Sequence, residues 1–172
     1  GYNPEDLKHI PNEVLDVSYG CGNPAAIAAL REGETVLDLG SGGGIDCFIA
    51  AKKVGEKGKI IGVDMTDQML ETATEKAKKV AGNPGYDVVE FRKGDLTSLP
   101  ADDNSVDLVS AKHIIEHVES IPAFMKEVHR ISKPGGKIII ETPHFTSLNS
   151  WADPTHRWHL STNFTDPFIK GS

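Results

Sequence analysis

Three groups of residues in this 172-residue chain have the types and spacing to do chemistry. The first is the run Val36-Leu-Asp38-Leu-Gly40-Ser41-Gly42-Gly-Gly44, in which Asp38 is followed by alternating glycines. Glycine lacks Cβ, so such a loop can bend sharply and let its backbone lie against a ligand. The second is Asp64, a carboxylate able to accept from two vicinal hydroxyls. The third is a set of histidines: His113 and His117, then His144, His156 and His159. Imidazole serves as a base near neutral pH or as a metal ligand.

The elements that must position these groups follow from the apolar pattern. Thr35 to Leu39 and Lys59 to Val63 read as buried strands, as do Val88 to Arg92, Val106 to Ser110 and Lys137 to Glu141. Between them, Ile45, Phe48 and Ile49 recur at helical spacing and Gly55 is a plausible stop. Thr66 is expected to cap a helix with Leu70, Ala73, Ala77 and Val80 on one face. A third helix carries Ile121, Phe124, Met125, Val128 and Ile131 and is expected to end at Pro134-Gly135-Gly136. Asn23-Pro24 is a good helix start. Strands that are apolar throughout, alternating with helices, imply a parallel sheet covered on both faces. The glycine loop then falls between a strand and a helix, where such sheets bind ligands.

Composition narrows the class. The apolar fraction is 38%, the charged fraction 25% and the formal net charge -7. That acidity makes a nucleic-acid partner unlikely, since phosphate contacts need Lys and Arg. There is no eighteen-residue apolar run, so no membrane-spanning helix is expected. The polar segment Gly1 to Ile10 does not read as a signal peptide. Two cysteines, Cys21 and Cys47, make neither a disulfide framework nor a zinc set, and a reducing cytoplasmic setting is expected.

Two cofactor classes use a glycine loop of this kind. A dinucleotide fingerprint requires a small third residue, but that position is Ile45 counted from Gly40 and Cys47 counted from Gly42. The pattern Asp38-x-Gly40-x-Gly42-x-Gly44 instead resembles motif I of class I S-adenosylmethionine-dependent methyltransferases. Asp64-Met65, Gly94-Asp95-Leu96, Ala111 to His113 and Lys133-Pro-Gly-Gly136 follow in that family's order. The resemblance covers about Val36 to Glu141 and implies a Rossmann-like, doubly wound, mostly parallel α/β sheet.

Resemblance also implies the site. S-adenosyl-L-methionine is the cofactor, and S-adenosyl-L-homocysteine is its product. Asp38, Gly40, Ser41, Gly42 and Gly44 would form the bend beneath it, and Asp64 would hold the ribose. Met65, Gly94, Asp95 and Leu96 would lie at the adenine. Ala111 and His113 would lie near the methionine moiety, with Tyr19 in a lid. The whole chain is expected to be one domain: a lid or helical segment over 1–31, a cofactor-binding core over 35–141 and a substrate-side segment over 142–172. The family sheet has seven strands, and the last two have no clear counterpart, His159 to Thr162 being a weak candidate. A homodimer through the fifth strand's edge would cover what those strands leave open.

Within the family, roughly the first eighty residues are similar to arsenite methyltransferases, through Tyr19-Gly-Cys21-Gly, the glycine loop and Gly62-Val-Asp64-Met-Thr66. Arsenite would need thiolates. Where that family has a cysteine after the fourth strand, this chain has Lys112-His113, and no cysteine follows Cys47. From His113 onward the chain resembles the broad methyltransferase type 11, UbiE-like group, through Ile115-Glu-His-Val118 and Asp153-Pro-Thr-His156. The expected activity is therefore methyl transfer to a small-molecule acceptor by direct displacement, with arsenite methyltransferase-like activity or a non-catalytic S-adenosylmethionine-binding partner domain as the alternatives.

His113-Ile-Ile-Glu-His117 also spells a zinc-protease string, which on a helix would put both histidines on one face. Its place directly after a strand argues against that reading, and His117 is expected to be packed or hydrogen-bonded beneath the sheet edge. His113 is expected to face the substrate. His144, Asp153, His156 and His159 leave two roles open, a base or a metal site that holds a catechol-like or carboxylate substrate. His144 is taken as the base, and no resident metal is assigned.

Overall fold

The computed structural model describes residues 8, 10–12, 27, 29–144, 146–158 and 160. Among these, five strands form one sheet: β1 (Thr35–Leu39), β2 (Lys59–Asp64), β3 (Val89–Lys93), β4 (Val106–Lys112) and β5 (Ser132–Glu141). The helices are α1 (Ile45–Val54), α2 (Asp67–Val80), α3 (Ile121–Ile131) and α4 (Leu148–Ala152), with a 3-10 turn at Ile115–His117. Strand order is β3-β2-β1-β4-β5, and every pairing is parallel. The doubly wound, Rossmann-like fold read from the sequence is the fold observed. β1 and β4 are neighbours although β2 and β3 intervene in the chain, so the order reverses beside β1, and a crevice opens at the strands' carboxyl ends.

Alternate residues of each strand feed two cores. Val36, Ile60 and Leu108 pack on one face with Phe48 and Val54 of α1 and Val80 of α2. Leu37, Ile61 and Val109 pack on the other with Phe124, Val128 and Ile131 of α3. Gly55 ends α1 as expected, at φ +68°, its N–H donating to Ala51 O at 3.0 Å.

Two local expectations are corrected. Thr66 precedes α2 but makes no side-chain cap; its N–H donates instead to Asp64 Oδ1 at 2.8 Å. α3 stops at Ile131 rather than at Pro134, because Ser132 already pairs with Val106. Lys133 to Gly136 are a bulge inside β5, whose register resumes with Leu108 opposite Lys137. Residues 115–117 form a 3-10 turn and not an α-helix, so His113 and His117 do not share a helical face, in line with the reading against a zinc-protease helix. Tyr19, Cys21, Asn23-Pro24, His159 and 161–162 lie outside the described residues. No described helix is long and apolar enough to cross a membrane.

Candidate active site

The bend after β1 is held from below by main-chain bonds. Gly40 and Ser41 N–H both donate to Val63 O, at 2.8 and 3.1 Å, and Gly44 N–H donates to Ser41 O at 2.8 Å. Gly40 and Gly44 have φ of +72° and +82°, and neither has room for a side chain. A Cβ on Gly40 would stand 2.5 Å from Ile114 Cδ1, and one on Gly44 2.5 Å from Phe91 Cζ. Gly42 differs: a Cβ there would meet nothing within 4 Å, so its open side faces free space. Two side chains that sequence reading missed complete the frame. Lys76 of α2 is buried and donates to Gly43 O at 3.2 Å. Phe91 of β3 fills the volume beside Gly44 and Gly62.

Asp64 does more than await a ligand. Its Oδ2 accepts from Gly42 N–H at 3.0 Å while Oδ1 accepts from Thr66 N–H. The carboxylate thereby ties the end of β2 to the bend after β1 and stays half-buried at the crevice. Each oxygen keeps a second lone pair. Ser41 Oγ is buried yet has no hydrogen-bond partner among the described residues. Buried hydroxyls are normally satisfied, so an unmatched one beside an open Gly42 face fits a polar ligand at the bend.

Next along the sheet ends, Met65, Lys93, Gly94 and Asp95 line one groove, bringing together three residues assigned to the adenine. Met65 is 63% exposed, an apolar side chain offered to a flat ring. Asp95 Oδ1 accepts from Thr97 N–H and Oγ1 at 2.7 Å, bonds that hold its carboxyl below the usual range. Leu96 sits against the second core, and Ala111 is fully buried opposite Leu39. Asp38 points the other way, into a small pocket beneath α1 that it shares with Asp46, Cys47 and Ser110. Burial, then the nearby Asp46, pushes its pKa up to about 7, and Cys47 Sγ donates to its Oδ2 at 3.6 Å. The Cys47 thiol is itself pushed up by burial and by Asp38.

On the β4 side, His113 has φ +52° and donates its N–H to Glu141 O at 2.7 Å. Its Nδ1 lies 3.3 Å from Oε1 of Glu116, a carboxylate only 1% exposed. With Nδ1–H donating to that carboxylate, Nε2 is left as the basic nitrogen. His144 is arranged oppositely. Its Nδ1 lies 2.8 Å from Thr146 Oγ1 and accepts from Thr146 N–H at 3.4 Å, so the proton sits on Nε2. His117 is hydrogen-bonded, as expected, but to Thr155 Oγ1 at 3.2 Å.

Comparison with known proteins shows the family. A family model described as a methyltransferase domain matches residues 30–165. An arsenite methyltransferase of Halobacterium salinarum is 43% identical over 141 residues, covering 81% of this chain and 34% of its own. That similarity runs well past the first eighty residues to which the sequence resemblance extended. A 2-phytyl-1,4-naphtoquinone methyltransferase of Nostoc punctiforme is 37% identical over 113 residues, covering 66% of this chain and 48% of its own. The crystal structure of an arsenic(III) S-adenosylmethionine methyltransferase from Chlamydomonas reinhardtii superposes with a TM-score of 0.65 at 36% identity, covering 79% of this chain and 46% of that one. The chain thus spans between a third and a half of the length of these relatives. It belongs to the methyltransferase domain family, in its S-adenosylmethionine-dependent, Rossmann-like class.

Proposed function

We propose that this protein transfers a methyl group from S-adenosylmethionine to a small-molecule acceptor by direct displacement. The observation that carries the reading is the bend at Gly40–Gly44, with an unmatched Ser41 hydroxyl and an open Gly42 face, clamped by Asp64. Bound there, the sulfonium supplies an already activated methyl group, so the protein contributes mainly alignment and exclusion of water. Gly40 to Gly44 would cradle the donor, Asp64 would use its remaining lone pairs on the ribose, and Met65 with Asp95 would take the adenine. An acceptor that must lose a proton needs a base. The Nε2 of His113, oriented through Glu116, suits that role better than His144, whose acceptor nitrogen is tied to Thr146. Tyr19 would belong to a lid.

Calorimetric titration with S-adenosylhomocysteine tests this reading. The wild type is expected to bind at micromolar affinity, and Asp64→Ala to lose on the order of 1.5–3 kcal/mol, as for a hydrogen bond to a charged group. Undiminished binding by the variant would remove Asp64 from the site. The arsenite reading gains from the 43% identity. Cys47 gives it no thiolate, being wholly buried with its pKa pushed up. The outer edge of β5 has no strand partner among the described residues, which supports a second copy as partner. The chain's two cysteines, with Cys47 free and buried, support a cytoplasmic setting.

A further inference from the structure

We infer that Glu116, His117 and His156 form a binding site for a divalent transition-metal ion, with zinc as the best fit. One ligand atom from each of the three lies within 4.8 Å of the others. Two parts of the chain bring them together. Glu116 and His117 come from the 3-10 turn after β4. His156 is carried on the segment after α4, which is fastened to that turn where Arg157 and Trp158 N–H both donate to Glu116 O, at 2.7 and 3.3 Å. Trp158 Nε1 adds a bond to Val118 O at 2.8 Å.

The hydrogen bonds around the two imidazoles assign their tautomers. His156 Nδ1 lies 3.0 Å from Ser150 O, and a carbonyl only accepts, so Nδ1 carries the proton. Thr155 Oγ1 donates to Asp153 Oδ1 at 2.6 Å and must therefore accept from His117 Nδ1–H at 3.2 Å. Each ring is left with an Nε2 lone pair. An imidazole whose other nitrogen donates to a carbonyl or to a hydroxyl–carboxylate chain is the usual arrangement of a metal-bound histidine.

Charge makes the same demand. The Glu116 carboxylate is nearly fully buried, with Thr142 Oγ1 donating to its Oε2 at 2.9 Å. His156 Nε2 stands 3.9 Å from Glu116 Oε1 and 3.7 Å from Asp153 Oδ2. A lone pair facing two carboxylate oxygens is repulsive, so a proton or a metal ion belongs between them, and the two Nε2 lone pairs converging with Glu116 favour the metal. A buried carboxylate likewise needs a compensating charge. Ligand atoms on a zinc tetrahedron with bonds of about 2.1 Å are about 3.4 Å apart, so the 3.9 Å pair has to close by roughly half an ångström. Two imidazoles and one carboxylate suit zinc, nickel or cobalt better than magnesium or calcium. Three protein ligands leave one position open, and all three line a groove of about 630 Å³ shared with His113 and Pro143.

The site uses the second half of the His-x-x-Glu-His string, but pairs His117 with a histidine 39 residues later and not with His113. It rests on no assumption about methyl transfer, and its test reads metal alone. Chelator-treated full chain is titrated with Zn²⁺ by calorimetry and with Co²⁺ by visible absorption. One equivalent is expected to bind, with the intense d–d bands of a four- or five-coordinate ion. His156→Ala should weaken binding at least tenfold, Thr155→Val about tenfold through the lost outer bond, and the exposed His129→Ala not at all. Thr155 and His129 are exposed, so those two variants keep the comparison valid even if His156→Ala folds poorly. No stoichiometric uptake, a pale spectrum like that of hydrated Co²⁺, or equal affinity in Thr155→Val and wild type would overturn the site.

Discussion

Asp38 stands at the head of the glycine motif, yet its carboxyl turns away from the bend. Its carboxyl lies buried in a small pocket under α1, with Asp46 nearby. The native pKa of about 7 stands above the ordinary value of 3.8. Between those values the native protein binds more protons than the unfolded chain, so stability falls as pH rises through the window and levels off above it. Each unit of that difference is worth about 1.4 kcal/mol. Urea denaturation at about pH 5 and pH 8 should therefore show a higher midpoint at the lower pH. Asp38→Asn, which cannot ionise, should lose most of this difference and be the more stable protein at pH 8. A variant with the wild-type pH dependence would show that Asp38 is already ionised at neutral pH.

At the scale of elements, the glycine bend and the sheet ends divide into what local pattern specifies and what it does not. The strand–bend–helix of Thr35 to Val54 was legible because its signals lie within twenty residues: an apolar run, spaced glycines, then a helical stripe. The beginning of β5 was not, because Ser132 joins the sheet only by pairing with Val106, and Pro134-Gly135-Gly136 reads as a terminator when the partner strand is unknown. Glu116 was equally hidden. Its burial depends on Thr142, twenty-six residues away, and on a 3-10 turn that helical periodicity misreads. The bend itself makes a sharp prediction. Gly44→Ala combines positive φ with a collision at Phe91 and should cost about 3 kcal/mol or more in urea denaturation. Gly42→Ala meets open space and should cost only about 1–2 kcal/mol. It should nonetheless weaken S-adenosylhomocysteine at least tenfold, because its methyl would occupy the face offered to the ligand. Equal stability losses in the two variants would contradict the described packing.

For the whole molecule, the sheet order sets a gradient of protection. β1 and β4 lie between other strands and under both cores, whereas β3 and β5 are edges and only half-buried. Native-state hydrogen exchange should find the slowest amides in β1 and β4, faster exchange in β3 and β5, and the fastest of the sheet at the bulge of Lys133 to Gly136. Edge strands as slow as the centre would mean that another chain covers them. The fold class was readable from the alternation of apolar runs because a parallel sheet buries its strands on both sides. The cluster of Glu116, His117 and His156 was not, because it is assembled from a turn after β4 and a segment after α4 that share no short-range pattern.

The methyl of Ile114 that occupies the space beside Gly40 gives the crevice a shared wall. One side of that wall supports the donor's bend, and the other begins the turn that carries Glu116 and His117. Exchanging Ile114 for a larger or smaller apolar residue therefore cannot retune one compartment alone. Any rearrangement of the turn would shift the side chain that fills the space beside Gly40, and with it the bend where the donor is proposed to lie.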